Sequence, residues 1–531
     1  MNENLPSDID ENETRNETRN ETRNETRNET RNETRNENEN EKSEKNNIVL
    51  TSFKKRYIDF IEKAKIDFKQ YQFDGVLFMF ESEKKNKGGF LFDEMGLGKT
   101  ISIIILLYLN FYKKTLIILP PVLIQQWFDT IYEKTGHKST IFHGKHKKNI
   151  TQNDLEQSNI VLTSYSHLSS PLIQKTKWNR VIFDEAHNLR NPKTARFIHS
   201  KSLTFKISWF LTGTPFQNKK NDILSLIKIG KFDVGKSSSF ILKRTKEQVN
   251  LDLPKLNIIV ENIKWKNEKE KVFAKDIHSG SLLTTQGAGR QLEKITRSRQ
   301  VCILPKLLDL HLEKCKKIHN DNDNNNNAEV SDDIIIKKEY DDGVKCSTKI
   351  THIIDLVSKN INNGNKKLIF CYFSKEIDFI NDELTKMHKD KKILIYDGRH
   401  KKDVLTQECD ILIIQILSGS DGLNLQQFNE IYFTSIHWNP FVELQAIARC
   451  HRIGQKKQVF VYKFIMNDFN NNNFKNHKDR NYKDKDKDED KDKDKDKETD
   501  MDVKSIESKI IETQEKKLND NDELLTELRI I

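Results

Sequence analysis

Apolar residues in this chain come in short runs, and the runs fall into two series. The first comprises Gly89–Phe92, Leu116–Leu119, Ile160–Thr163, Val181–Phe183 and Trp209–Leu211. The second comprises Lys367–Tyr372, Lys392–Tyr396, Asp410–Ile416, Glu430–Thr434 and Val459–Ile465. Each is rich in β-branched and aromatic residues and bounded by polar residues, Gly or Pro, as strands buried on both faces of a parallel sheet are. Segments with helical spacing lie among them, including Thr100–Tyr112, Ile350–Asn360 and Glu376–His388. Two consecutive strand–helix alternations predict an α/β fold of two parallel-sheet lobes in tandem, not one very wide sheet.

Low-complexity segments interrupt this pattern. Residues 1–46, built around six Asn-Glu-Thr-Arg repeats, have too little apolar area to offset their ordering entropy and read as a disordered tail. The expected organisation is a first lobe over 53–250, a helical inter-lobe region over 251–318, a flexible insertion over 319–345, a second lobe over 346–466, a disordered insertion over 467–502 and a C-terminal helix within 503–531. The tail carries net −6 and the Lys-Asp run Lys483–Glu498 net −2, so the remainder carries +18 against +10 for the whole chain of 531 residues. A foldable part that basic favours a polyanionic partner.

Several classes are excluded. No apolar run approaches the ~18 residues of a membrane span, and the charged N-terminus reads as no secretory signal. The six cysteines, Cys302, Cys315, Cys346, Cys371, Cys409 and Cys450, contain no Cys-x-x-Cys pair. That spacing predicts reduced thiols, no structural zinc and no disulfide scaffold. The expectation is a soluble intracellular monomer.

Three segments carry chemistry. Phe90–Thr100 reads as a strand, a glycine loop and a helix start, which points backbone N–H groups at phosphate oxygens. Gly96 and Gly98 lack the Cβ that would block this approach, Lys99 reaches the β/γ-phosphates, and Thr100 offers a hydroxyl to Mg²⁺. Arg180–His187 places Asp184 and Glu185 at the C-terminal end of a buried strand, where α/β sheets bind ligands. Asp184 would share the Mg²⁺ with Thr100, Glu185 would orient or deprotonate the attacking water, and His187 would link nucleotide state to the other lobe. Alone, such an acidic pair is as readily a solvated strand end; the upstream loop decides between them. In Gln445–Gln455, Arg449 and Arg452 are three apart, hence expected on one helix face, suited to a γ-phosphate held by another lobe. A solvated basic face is the alternative for that segment alone.

In order and number, Asp93–Thr100, Asp184–His187, Leu211–Asn218 and Gln445–Gln455 resemble the motifs of the superfamily-two helicases, specifically the Swi/Snf-like DNA-dependent ATPases. Tyr71-Gln72, Leu116–Trp127, Val161–Tyr165, Phe240–Lys246, Gly422–Leu425 and Trp438–Pro440 resemble further motifs of that family. The resemblance implies two RecA-like lobes with ATP and Mg²⁺ in the cleft. The loop residues Asp93, Glu94, Met95, Gly96, Leu97, Gly98, Lys99 and Thr100 would hold the nucleotide, and Gln72 would read adenine. Lys99, Glu185, Arg449 and Arg452 would be catalytic, while His187, Thr212, Gly213 and Thr214 would couple hydrolysis to lobe movement. Thr163, Ser164 and Gly422 would contact the backbone of double-stranded DNA. Nucleosomes or transcription complexes are the implied further partners, in a nucleus or a viral replication compartment. A DNA-binding scaffold with impaired hydrolysis and a duplex-RNA-directed ATPase are the alternatives. Phe92 stands where the family usually has a small residue, so different local packing is expected.

Overall fold

The computed structural model describes residues 49–213, 221–233, 235, 239–280, 283, 288–309, 311, 347–399, 407–416, 423–469 and 504–527. Of the expected segments, the tail 1–46 lies outside the described residues, as do the insertion 319–345, nearly all of 467–502, and the site candidates Thr214 and Gly422.

All ten runs form strands, and three further strands join them. The first sheet contains β1 (Gly88–Leu91), β2 (Thr115–Leu119), β3 (Thr140–Phe142), β4 (Ile160–Ser164), β5 (Trp178–Asp184), β6 (Phe205–Leu211) and β7 (Ile241–Leu242), in spatial order β3-β4-β2-β5-β6-β1-β7. The second contains β8 (Leu256–Ile263), β9 (Lys367–Cys371), β10 (Ile393–Tyr396), β11 (Ile411–Gln415), β12 (Glu430–Phe433) and β13 (Val459–Met466), in order β10-β11-β9-β12-β13-β8. Every pairing in both sheets is parallel.

Burial explains the continuous apolar runs. In β1, β2, β4, β9 and β12 every residue is buried, because helices cover both faces. On one face of the first sheet lie α1 (49–63), α2 (Gln70–Lys85), α3 (Lys99–Leu109) and α4 (Ile124–Thr135). Phe53, Tyr57, Phe60 and Ile61 of α1 and Ile103–Leu107 of α3 join Ile117, Ile182 and Trp209 in one core. Each aliphatic side chain withdrawn from water there contributes roughly 1.5–3 kcal/mol. Phe92 is fully buried in the opposite core, its ring 5.3 Å from that of Phe90, which accounts for the large residue at this position.

The segment 251–318 departs from the helical expectation. Leu256–Ile263 is a strand, paired with β13 along its whole length. Its β-branched residues Ile258, Ile259 and Val260 favour extended backbone, and Ile258 and Val260 stay exposed because the strand is a sheet edge. The helices Glu268–Ser279 and Ala288–Ile303 follow, and Ile303, Leu304 and Leu307 enter the core of the second sheet. This region is therefore built into the second lobe. The C-terminal helix runs Ile506–Glu527 and is tied to the same lobe by the fully buried pair Lys349–Glu507 at 2.5 Å. No helix among the described residues is long and apolar enough to cross a membrane.

Candidate nucleotide site between the lobes

The order of the first sheet places β6 between β1 and β5. The segments that follow these three strands therefore emerge side by side at one edge: the glycine loop after β1, Asp184-Glu185 at the end of β5, and Thr212-Gly213 after β6. In the second sheet, β12 leads to the helix Pro440–Cys450, which carries Arg449 toward that edge. A cavity of about 100 Å³ lies between them. Its walls include Gly96, Lys99, Thr100, Asp184, Arg449 and Arg452.

The loop has the backbone that such a cradle requires. Gly96 and Gly98 have φ of 93° and 82°, and Gly98 is the N-cap of α3. A Cβ built on Gly98 would stand 2.5 Å from Gln72 Nε2, and one on Gly213 would stand 2.5 Å from Met95 Cγ and 3.3 Å from Lys99 Nζ. Lys99 Nζ donates to Asp93 O at 2.7 Å and to Glu94 O at 3.3 Å. Burial lowers its pKa, opposed by the carboxylates of Glu185, Asp93 and Asp184.

Two carboxylates share the far wall. Burial raises Asp184, the neighbouring Glu185 raises it further, and Trp127 Nε1, donating to Asp184 Oδ2 at 3.0 Å, works the other way. Burial acts to raise Glu185 as well, but His187, Arg449 and Lys99 outweigh it and hold this carboxyl low. The two neighbouring carboxyls are thus pushed in opposite directions, Asp184 up and Glu185 down. The Glu185 backbone is left-handed, φ 50° and ψ 52°, a conformation costing about 1–3 kcal/mol in a non-glycine residue and typical of functional sites. His187 Nδ1 lies 3.3 Å from Glu185 Oε2 and 3.4 Å from Thr212 Oγ1, so strand ends β5 and β6 meet through one imidazole.

Some expected residues stand elsewhere. The side chains of Asp93 and Glu94 do not line the cavity. Arg244 Nε and Nη2 bond the two Asp93 carboxylate oxygens at 3.0 and 2.5 Å, and the backbone N of Lys246 bonds Glu94 Oε2 at 2.8 Å. Leu97 is buried, and its carbonyl accepts from Tyr71 Oη at 3.1 Å and from Gln72 Nε2 at 3.3 Å. Gln72 therefore contacts the loop backbone rather than the cavity. Arg449 and Arg452 both line the cavity, but not from one helix face. The helix ends at Cys450, and Arg452 follows its C-cap in a turn closed by Gly454 at φ 99°. Thr163 is fully buried and its Oγ1 donates to Phe142 O at 2.9 Å, so its side chain is withdrawn from any surface partner. Ser164 is buried too, its hydroxyl shared among His143, Ser166 and His167 at 2.9–3.0 Å.

Trp127, Arg244 and Lys246 lie in the segments Leu116–Trp127 and Phe240–Lys246 that resemble family motifs, but the sequence assigned none of them a role at the site. The available signal was the cation-rich stretch Lys243–Lys246 directly after the apolar pair Ile241-Leu242.

Residues 71–237 match the SNF2-related domain and residues 348–454 match the Helicase conserved C-terminal domain, together just over half of the chain. The chain is 26% identical over 445 residues to an uncharacterized ATP-dependent helicase of Mycoplasma genitalium, covering 75% of this chain and 40% of that protein. It is 27% identical over 466 residues to a probable global transactivator of Orgyia pseudotsugata multicapsid polyhedrosis virus, covering 76% and 86%. A solved Sulfolobus solfataricus SWI2/SNF2 ATPase core in complex with dsDNA aligns over 76% of this chain and 88% of that one, at 23% identity and a TM-score of 0.36. Motifs, paired parallel sheets and both family matches agree: the chain belongs to the Swi/Snf-like, superfamily-two helicase-related family.

Proposed function

We propose that this chain couples ATP hydrolysis to movement along double-stranded DNA, and so remodels or displaces proteins bound there. The observation carrying this reading is the convergence of Lys99, Thr100, Asp184 and Glu185 from one lobe with Arg449 and Arg452 from the other around a single cavity. In-line phosphoryl transfer needs such positioning and charge neutralisation more than covalent chemistry.

The donor set fits ATP with Mg²⁺. Among the described residues no three His, Cys, Asp or Glu side chains group as a metal cage. One hydroxyl and one carboxylate, Thr100 and Asp184, suit an ion that keeps water and phosphate oxygens as its remaining ligands. When bound, Mg²⁺ neutralises charge on the transferring phosphoryl group. Lys99 would neutralise the phosphates from the loop side. Glu185, held ionised, would orient the attacking water and accept its proton. Arg449 and Arg452 would reach the γ-phosphate only while the lobes are together, which makes turnover depend on closure. His187, through Thr212, would pass that closure to the segment after β6.

Movement on DNA would follow from alternating grip during these closures. The exposed Lys145, Lys147 and Lys148 beside His143, with exposed Ser166, offer phosphate contacts on the first lobe in place of Thr163. Contacts of this kind read charge and geometry, not base sequence.

ATP turnover measured without nucleic acid, then with single- and double-stranded DNA and RNA, tests the proposal. Duplex DNA should stimulate most. An identical rate under all conditions would sink it, stronger stimulation by duplex RNA would favour the RNA-directed alternative, and nucleotide binding without turnover would favour the scaffold.

A further inference from the structure

The short connector between the sheets touches the phosphate loop and the arginine segment at once. It runs along β1 through the edge strand β7, with Phe90 N donating to Phe240 O and Phe92 N to Leu242 O, each at 2.7 Å, and then reaches the glycine loop, where Glu94 N donates to Arg244 O at 2.8 Å. Arg244 then clamps Asp93 and also donates to Tyr71 O, fixing this strap to the first lobe. The next-but-one residue is Lys246. Its backbone N is held by Glu94, its Nζ lies 3.4 Å from Glu94 Oε1, and the same Nζ donates to His451 O at 3.1 Å.

That carbonyl has a particular place. His451 is the C-cap of the helix Pro440–Cys450 and stands between Arg449 and Arg452 in sequence. Carbonyls at a helix C-terminus lack intrahelical partners, and a cation there satisfies both the orphan acceptor and the helix dipole. The imidazole of the same residue is anchored further along the connector, with Nε2 2.8 Å from Pro254 O. Lys246 Cε and Arg452 Cβ each come within 3.3 Å of a Cβ built on Gly96, so loop, strap and arginine segment are in mutual contact.

We propose that Lys246 is a positioning residue for ATP hydrolysis: a latch, rooted in the phosphate loop of the first lobe, whose ammonium holds the second lobe at His451 O and so sets Arg449 and Arg452 over the triphosphate. This rests on the ATP-hydrolysis reading above. Lys246 does not line the cavity, and its role is exercised through the two arginines. Because Glu94 N donates to Arg244 O and Glu94 Oε2 accepts from Lys246 N, a loop movement on nucleotide binding carries the ammonium with it. Glu94 supplies the countercharge that keeps the ammonium at the cleft when the lobes part.

Lys246→Met keeps the stem and removes the donor; Lys246→Arg keeps a donor. Both, with the parent, are measured for ATP turnover with double-stranded DNA, for ADP affinity, for thermal unfolding and for lobe closure by fluorescence energy transfer between dyes on the two lobes in a non-hydrolysable ATP analogue. Lys246→Met should lower kcat at least 10-fold, leave ADP affinity within threefold and the unfolding midpoint unmoved, and shrink the closed population. Lys246→Arg should recover most of kcat and closure. Turnover within threefold of the parent would overturn the latch. A tenfold loss of ADP affinity would overturn it in favour of direct phosphate binding, and lost turnover with closure intact would do so in favour of a chemical role. A parent that closes but does not hydrolyse ATP defeats the ATP-hydrolysis reading instead, and the closure measurement still judges the latch.

Discussion

Strand β5 carries a buried charge near each end, and the two ends are built on opposite logic. Arg180 and Asp184 are four residues apart, roughly 13 Å, and alternate strand geometry points both to the same face of the sheet. At the Arg180 end the charge meets its opposite within one lobe, although only Nη2 of the guanidinium is hydrogen-bonded. Arg180 Nη2 bonds Glu83 Oε2 at 2.6 Å and Asn110 O at 2.8 Å, and the guanidinium lies over the Tyr112 ring at 4.6 Å. Asn110 and Trp209 donate to the two oxygens of Glu83 at 2.5 and 2.9 Å. Neither Arg180 nor Glu83 exposes any of its side chain. At the Asp184 end two carboxylates are adjacent, their titrations pushed apart, and one backbone is left-handed. Two arginines come from the other lobe. The first arrangement pairs one charge with its opposite inside one lobe; the second sets two like charges side by side and draws opposite charges from the other lobe. Buried charge by itself marks neither structure nor function; whether the opposite charge comes from the same lobe separates the two.

The strongest break of this contrast is a pair of neutralising changes. Glu185→Gln should lower ATP turnover about 10³-fold while leaving the denaturation midpoint near the parent's, since it removes a general base and no core contact. Equal turnover by variant and parent would take Glu185 out of the mechanism. Glu83→Gln should do the reverse. It strands a buried guanidinium and costs about 3–5 kcal/mol in denaturant unfolding, with turnover per folded molecule within twofold of the parent. Loss of turnover at unchanged stability would erase the distinction.

A buried histidine in the other lobe sharpens it through pH. His278 is buried against Phe469, its Nδ1 is 2.6 Å from Ala274 O, and its Nε2 accepts from Ile506 N at 3.0 Å, fixing the start of the C-terminal helix. Burial lowers its pKa to about 4; the Ala274 carbonyl opposes this, and Lys509 and Lys294 add to it. A histidine depressed on folding stabilises the protein above its ordinary pKa near 6.5, and that contribution declines as pH falls toward 4. Unfolding measured between pH 7 and 4 should show a loss approaching about 3 kcal/mol in the parent. In His278→Gln the pH slope should be clearly smaller, and an unchanged slope would rule His278 out as its source.

The smallest effect tests the support of the open end. Trp127→Phe removes the donor to Asp184 Oδ2 and part of a buried ring, so turnover titrated with Mg²⁺ should need about tenfold more metal while stability falls by about 1–2 kcal/mol. An unchanged titration would reduce Trp127 to packing.

Local pattern carried a definite share of this. The ten strands were legible because each is a contiguous apolar run between turn residues, and the glycine loop because Gly96, Gly98, Lys99 and Thr100 stand together. Strand β8 was not, because Leu256–Ile263 is a sheet edge whose exposed Ile258 and Val260 sit among charges. The burial of Thr163 was not legible, because nothing local shows that β4 is covered on both faces and that this hydroxyl is spent on Phe142 O.

The sequence by itself determined the strand and helix alternation, the phosphate loop and the carboxylate pair, since each depends on neighbours within about ten residues. Only the tertiary structure decided that Arg244 neutralises Asp93, that Lys246 reaches His451, that Trp127 holds Asp184, and that the helix bearing Arg449 stops before Arg452. Those contacts join positions 57 to 205 residues apart, or depend on where such a partner lies. Side-chain distance across a closed cleft is a property of how two sheets are set against each other, and no local spacing records it.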